Sequence, residues 1–161
     1  MRGDRVCDAG MPDDGFLEIA FDSAGYREEC ALRDEVLRRP LGMSLWDEDL
    51  SSEALQYHFG WFANGCLLAC LIAVPLTETE VKVRQMAVSP EAQGRGIGRL
   101  LLTAMEREWA ARGYREAVLH ARAGALGFYQ KLGYQCEGPG FTEVGIPHRR
   151  MRNGLLKSMR A

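Results

Sequence analysis

The segment from Thr79 to Arg112 constrains this chain more than any other. Thr79 to Val88 alternates cleanly, with Val81, Val83, Gln85 and Ala87 on one side and Lys82, Arg84 and Met86 on the other. That is the period of a strand, and Ser89-Pro90 ends it. Ile97 to Arg112 carries Ile97, Leu101, Ala104, Met105, Glu108 and Trp109 at helical spacing, with Gly113 placed to cap the end. Between them stands Gln93-Gly94-Arg95-Gly96-Ile97-Gly98. Glycines at alternate positions let an anion approach the main chain. The first N–H groups of the helix have no acceptor within it, and the dipole is positive there. Strand, glycine turn and helix in this order make a candidate phosphate-binding end; on the glycines alone, a plain turn remains the alternative.

The pattern separates three kinds of phosphate loop. A Walker loop requires Lys and then Ser or Thr after its last glycine, and Arg99-Leu100 supplies neither. A dinucleotide fingerprint requires its third glycine where Arg99 stands. The pyrophosphate loop of acyl-CoA transferases, Gln/Arg-x-x-Gly-x-Gly/Ala, is matched by Gln93, Gly96 and Gly98.

The rest of the chain reads as mixed α/β. Residues 1–15 are a polar, glycine-rich leader, and residues 16–161 have a length suited to one domain. A first strand is expected over Phe16–Ala20, and a helix over Ala24–Arg39, stopped by Pro40-Leu41-Gly42. A short helix opens at Ser51. Asn64-Gly65 marks a hairpin between Tyr57–Phe62 and a buried strand Cys66–Val74. A short strand Ala117–His120 and a helix Ala123–Leu132, closed by Gly133, follow. Tyr134–Glu137 and His148–Arg152 form a last strand pair around a Gly/Pro-rich connection.

Bulk properties remove several classes. A formal charge of −2 argues against a nucleic-acid partner. The longest apolar run, Cys66–Leu76, is far short of the roughly 20 residues that cross a bilayer, and the first residues lack a signal-peptide pattern, so no membrane partner and a cytoplasmic location are expected. Five scattered cysteines without CxxC spacing predict neither a disulfide framework nor a metal site. Cys66 and Cys70 read as small buried residues.

Val83 to Leu102 resembles the cofactor-binding core of the GNAT superfamily of N-acetyltransferases. Ala125 to Tyr134, ALGFYQKLGY, resembles that superfamily's second signature, Ala-x-x-Phe-Tyr-x-Lys-x-Gly-Phe/Tyr. The resemblance implies a GNAT-like α/β fold: a mixed sheet of six or seven strands, central strands splayed to admit acetyl-CoA, and helices on both faces. It implies acetyl transfer from acetyl-CoA, as cosubstrate and without a metal, to a primary amine of a small molecule or peptide. A CoA-binding regulatory module without catalysis, or transfer of another acyl group, is the alternative. The tail leaves room for a homodimer.

By the same resemblance, main-chain groups of Met86, Ala87 and Val88 meet the pantetheine arm, and Gln93, Gly94, Arg95, Gly96, Ile97 and Gly98 hold the pyrophosphate. Arg122 stands where many relatives have Asn; pairing with a CoA phosphate and a plain surface role are weighed equally. Tyr129 matches the family tyrosine near the sulfur and is the expected general acid. The base is open. Phe141 to Met151 resembles a branch with Glu-x-x-Gly-Ile-Pro-His before the last strand, which makes Glu143 and His148 candidates, with His120 behind them. His58 reads as packing. Arg84 or Gln85, and Trp46 and Trp61, are weaker candidates to line the acceptor pocket. Arg149, Arg150 and Arg152 are expected to attract an acidic group or to form a solvated strand face.

Overall fold

Seven strands form one mixed sheet in the order β1-β2-β3-β4-β5-β7-β6. The computed structural model describes residues 14–155. Strands β1 (Gly15–Ile19), β2 (Tyr57–Ala63), β3 (Cys66–Pro75) and β4 (Glu80–Val88) precede helix α2; β5 (Glu116–Arg122), β6 (Gln135–Glu143) and β7 (Ile146–Gly154) follow it. The helices are α1 (Ala24–Arg33), α2 (Ile97–Ala111) and α3 (Leu126–Lys131). The mixed seven-stranded sheet agrees with the fold class read from sequence. Apart from Asp14 and Gly15, the expected leader lies outside the described residues.

Two compact units divide the chain, the first comprising residues 14–72 and 85–101 of those described, the second 73–84 and 102–155. In the first, Ile19, Tyr26, Cys30, Leu32, Leu45, Phe62, Leu67, Cys70 and Ala87 make a continuous buried core. The helix expected over 24–39 is regular only to Arg33; Asp34–Arg38 widen into a π turn and Arg39–Leu41 tighten into a 3₁₀ turn. Pro40 explains that ending, because its ring cannot continue an α-helix. The Asn64-Gly65 turn forms as expected, with both residues at positive φ. Cys70 is buried and free, as read; Cys66 departs from the expectation because it is half-buried and disulfide-bonded.

In the second unit, Val81, Val83, Leu102, Met105, Trp109, Ala117, Leu119, Tyr134 and Met151 are buried. Gly113 and Gly133 take left-handed φ past α2 and α3. Tyr114 and Tyr134 then donate their N–H groups back to Trp109 and Tyr129 carbonyls, at 3.0 and 3.1 Å. These are the helix stops that the glycines predict. β4 and β5 pair in parallel from Glu80–Glu116 to Val83–Leu119, although both strands run on.

The last hairpin is longer than its sequence suggests. β6 continues through Gly138, Pro139 and Gly140 across a register shift between Glu137 and Phe141. Val144 and Gly145 alone make the turn, both at positive φ, and Ile146 and Pro147 already belong to β7. The Gly/Pro-rich connection expected between Glu137 and His148 is therefore mostly strand, with a two-residue turn at its tip.

Candidate active site

In the first unit, β4 is kinked at Gln85, whose φ of 54° is a conformation that a strand interior rarely allows. The kink breaks the alternation: Gln85 is half-buried rather than buried, and its side-chain carbonyl accepts from Arg38 Nη2 at 3.0 Å. Arg38 sits on the π turn and is also held by Glu48 at 2.6 Å. Met86, Ala87 and Val88 follow the kink. Gln93 donates its amide to the Val88 carbonyl at 3.2 Å and ties the loop to the strand end.

The loop itself is open. Gly94 and Gly96 have φ of 78° and 77°, and a Cβ built on either meets nothing within 4 Å. Arg95 is exposed beside them, while Ala92 before the loop and Ile97 and Gly98 after it are buried anchors. The loop thus presents bare main chain at the start of a fifteen-residue helix. An anion fits there, because the left-handed glycines leave room and the first helical N–H groups lack helical acceptors.

In the second unit, the Gly133 stop described above fixes the end of α3, and Tyr134 buries its ring and bonds Glu106 at 2.9 Å. Asn153 reaches the same carboxylate at 3.2 Å. This clamp holds Tyr129, whose ring stands edge-on to Phe128 and Tyr134. Burial pushes the Tyr129 phenol up to about 12, so it keeps its proton at neutral pH.

The three base candidates come together. His120 Nδ1 lies 3.3 Å from one oxygen of Glu143, and His148 Nε2 lies 3.6 Å from the other. His148 Nδ1 donates to the Ile146 carbonyl at 2.7 Å, which leaves its Nε2 facing the carboxylate. Phe141 packs edge-on to His120 and stacks on His148. The hairpin turn delivers Glu143 to this position, and the register places His148 opposite Arg122. His148 is 5% exposed, whereas Glu143 and His120 remain within reach of solvent.

This chain matches the acetyltransferase (GNAT) domain family over residues 42–155. It belongs to the GNAT acetyltransferase family. Among curated relatives, the uncharacterized Bacillus subtilis (strain 168) protein YyaT is 31% identical over 48% of this chain and 53% of its own length. The chain thus spans about half the length of the curated relatives that it matches. A solved structure from Lactobacillus plantarum superposes with a TM-score of 0.77 at 24% identity, covering 87% of this chain and 97% of that one. An aminoglycoside 6′-N-acetyltransferase complexed with coenzyme A superposes with a TM-score of 0.71 at 16% identity, covering 87% and 96%.

The remaining sequence candidates of this GNAT protein fall elsewhere. His58 belongs to a buried ion cluster in the first unit. Its Nδ1 lies 2.9 Å from Glu29, and its Nε2 lies 2.9 Å from the Glu53 carbonyl oxygen. Arg33 joins Glu29 at 3.0 Å and Glu53 at 2.7 Å, and Tyr26 donates to Glu53 at 2.7 Å. Glu29, Glu53 and His58 lie close enough to hold a metal ion, but the Arg33 guanidinium occupies that centre. Trp46 is exposed, and Trp61 is half-buried in β2. Arg149 donates to the Gly138 carbonyl at 3.0 Å. Arg150 and Arg152 both bind Glu137, and Arg152 also binds Glu80 and Glu116. Sequence reasoning passed over Lys82, which the β4–β5 register places on the His120 side of the sheet; only the pairing of strands reveals it.

Proposed function

We propose that this protein is an acetyl-CoA-dependent N-acetyltransferase that modifies a primary amine of a small molecule or peptide by direct transfer. The observation that carries this reading is the open left-handed turn at Gly94 and Gly96, set at the N-terminus of α2. Gln93–Gly98 hold the pyrophosphate of the cosubstrate, Arg122 pairs with a CoA phosphate, and the main chain of Met86, Ala87 and Val88 meets the pantetheine arm. The cosubstrate supplies an acetyl group activated as a thioester.

A free alkyl amine has a pKa of about 10, like Lys, and must lose a proton before it can attack. Glu143 receives the ammonium, since its carboxylate accepts hydrogen bonds and is half exposed. The same carboxylate holds His120 with Nδ1 protonated and so leaves Nε2 as the proton acceptor. His148, buried and fixed by the Ile146 carbonyl, flanks Glu143 at 3.6 Å. Tyr129, kept protonated by burial, donates to the departing sulfur. Cys30 and Cys70 are poor candidates for a covalent route, because both are buried and burial raises both thiols.

Calorimetric titration with acetyl-CoA, followed by thiol release against a panel of amines, tests this reading. Binding in the wild type, its loss in Gly96→Glu, and release with one amine class are expected. Absence of acetyl-CoA binding would overturn the assignment, and binding without release on any amine would favour a regulatory module.

A further inference from the structure

The sheet face that carries His120 is divided in charge. Lys82 is in register with Val118, His120 lies two residues further along β5, and Arg150 pairs with His120. Arg84 follows Lys82 on the same side of β4. At one end of this face Arg152 gathers Glu80, Glu116 and Glu137. At the other end the balance is reversed. Lys82 makes no hydrogen bond or ion pair with any described residue, yet it is half-buried. Burial lowers its pKa, Glu143 acts to raise it, and Arg84 and Arg150 press it down further.

An ammonium withdrawn from water without an acceptor is costly. The same ammonium flanked by guanidinium groups is a ready partner for a carboxylate or phosphate. Glu143, which suits an ammonium, is the carboxylate felt by Lys82. Opposite charges therefore stand on one face of the sheet, the arrangement that complements a molecule carrying both an amine and an acid.

We propose that Lys82 binds an acidic group of the acceptor, so that the substrate is an amine that also carries a carboxylate or a phosphate. This rests on the acetyl-transfer reading for the word acceptor; the anion site itself does not. Arg150 contributes less, because Glu137 already holds it at 2.7 Å.

The test uses matched acceptors: amino acids against their decarboxylated amines, and amino-sugar phosphates against the free amino sugars. The wild type should favour the acidic member of one series in kcat/KM by roughly tenfold to a hundredfold, the usual scale for a hydrogen bond to a charged group. In Lys82→Met that preference should collapse, with acetyl-CoA affinity by calorimetry unchanged. The series that responds distinguishes carboxylate from phosphate. Thermal melts with succinate and with inorganic phosphate give a readout independent of turnover. A stabilisation lost in Lys82→Met but kept in Gly96→Glu supports the site even if no amine is acetylated. Equal turnover of acidic and neutral members, an unchanged preference in Lys82→Met, or loss of acetyl-CoA affinity in that variant would each overturn the proposal. In the absence of turnover, melts that do not respond to either anion would overturn it as well.

Discussion

Two histidine–glutamate clusters, one in each unit, use the same residue types to opposite ends. Around Arg33, every side-chain polar atom of Glu29, Glu53 and His58 is bonded inside a buried core, and Arg33 Nε alone in the group lacks a partner. Two carboxylates meet a guanidinium and an imidazole flanked by acceptors on both nitrogens, so the imidazole is held as a cation and the charges balance. Around Glu143 the contacts are longer, at 3.3 and 3.6 Å, the carboxylate is half exposed, and one imidazole nitrogen stays uncommitted. Saturated bonds leave nothing for a ligand; unsaturated ones do. The first cluster fastens α1 to β2 and the 3₁₀ turn over Ser51–Leu55, whereas the second leaves its carboxylate half exposed.

The contrast breaks most visibly at Arg33. Arg33→Met should cost about 3–5 kcal/mol in urea denaturation, because it leaves buried carboxylates without their cation. A cost within the roughly 0.5 kcal/mol of an ordinary surface change would mean that the cluster is solvated and the comparison fails. Tyr129→Phe should reduce turnover by about a hundredfold, or about 2.7 kcal/mol of barrier, while acetyl-CoA affinity holds. Turnover equal to wild type removes Tyr129 from the reaction. Glu143→Gln should lower kcat/KM by roughly tenfold and leave the melting temperature unchanged, the reverse of the Arg33 pattern. A large loss of stability would make Glu143 a structural residue like Glu29.

The smallest effect concerns pH. Burial disfavours the His58 cation, but the hydrogen bond and attraction from Glu29, with the Glu53 carbonyl, outweigh it and raise its pKa above the usual histidine value. A raised folded pKa means that this stabilisation is complete below about pH 6.5 and is lost as pH rises through the folded value. Urea midpoints should therefore decline modestly on the alkaline side of neutrality in the wild type, and less in His58→Gln. Equal slopes in the two proteins would show that His58 stays neutral in the folded state.

Much of the fold is legible in the residues because its signals are local. Alternation in β4 up to Arg84, the Asn64-Gly65 turn, and the glycines past α2 and α3 each depend on a few neighbours in sequence, and each appears where expected. The glycine loop is equally local, since positive φ and absent β-carbons are properties of Gly94 and Gly96 themselves. The kink at Gln85 is not, for nothing in glutamine favours left-handed backbone; a bond from Arg38, 47 residues earlier, accompanies it. Histidine roles were the least readable. His58 and His120 look alike in sequence, and only their surroundings separate a buried, fully bonded imidazole from a half-exposed one.

Sequence alone determined the order of strands and helices, the stops between them, the open glycine turn before α2 and the family, because hydrophobic period and glycine conformation act over a few residues. Tertiary structure decided which carboxylate meets which imidazole, that Arg33 closes one cluster while Glu143 leaves the other open, and that Lys82 lies half-buried under the opposing influence of Glu143 and Arg84. Those outcomes depend on strand register and burial, which bring residues distant in sequence within a few ångströms and set how strongly their charges act.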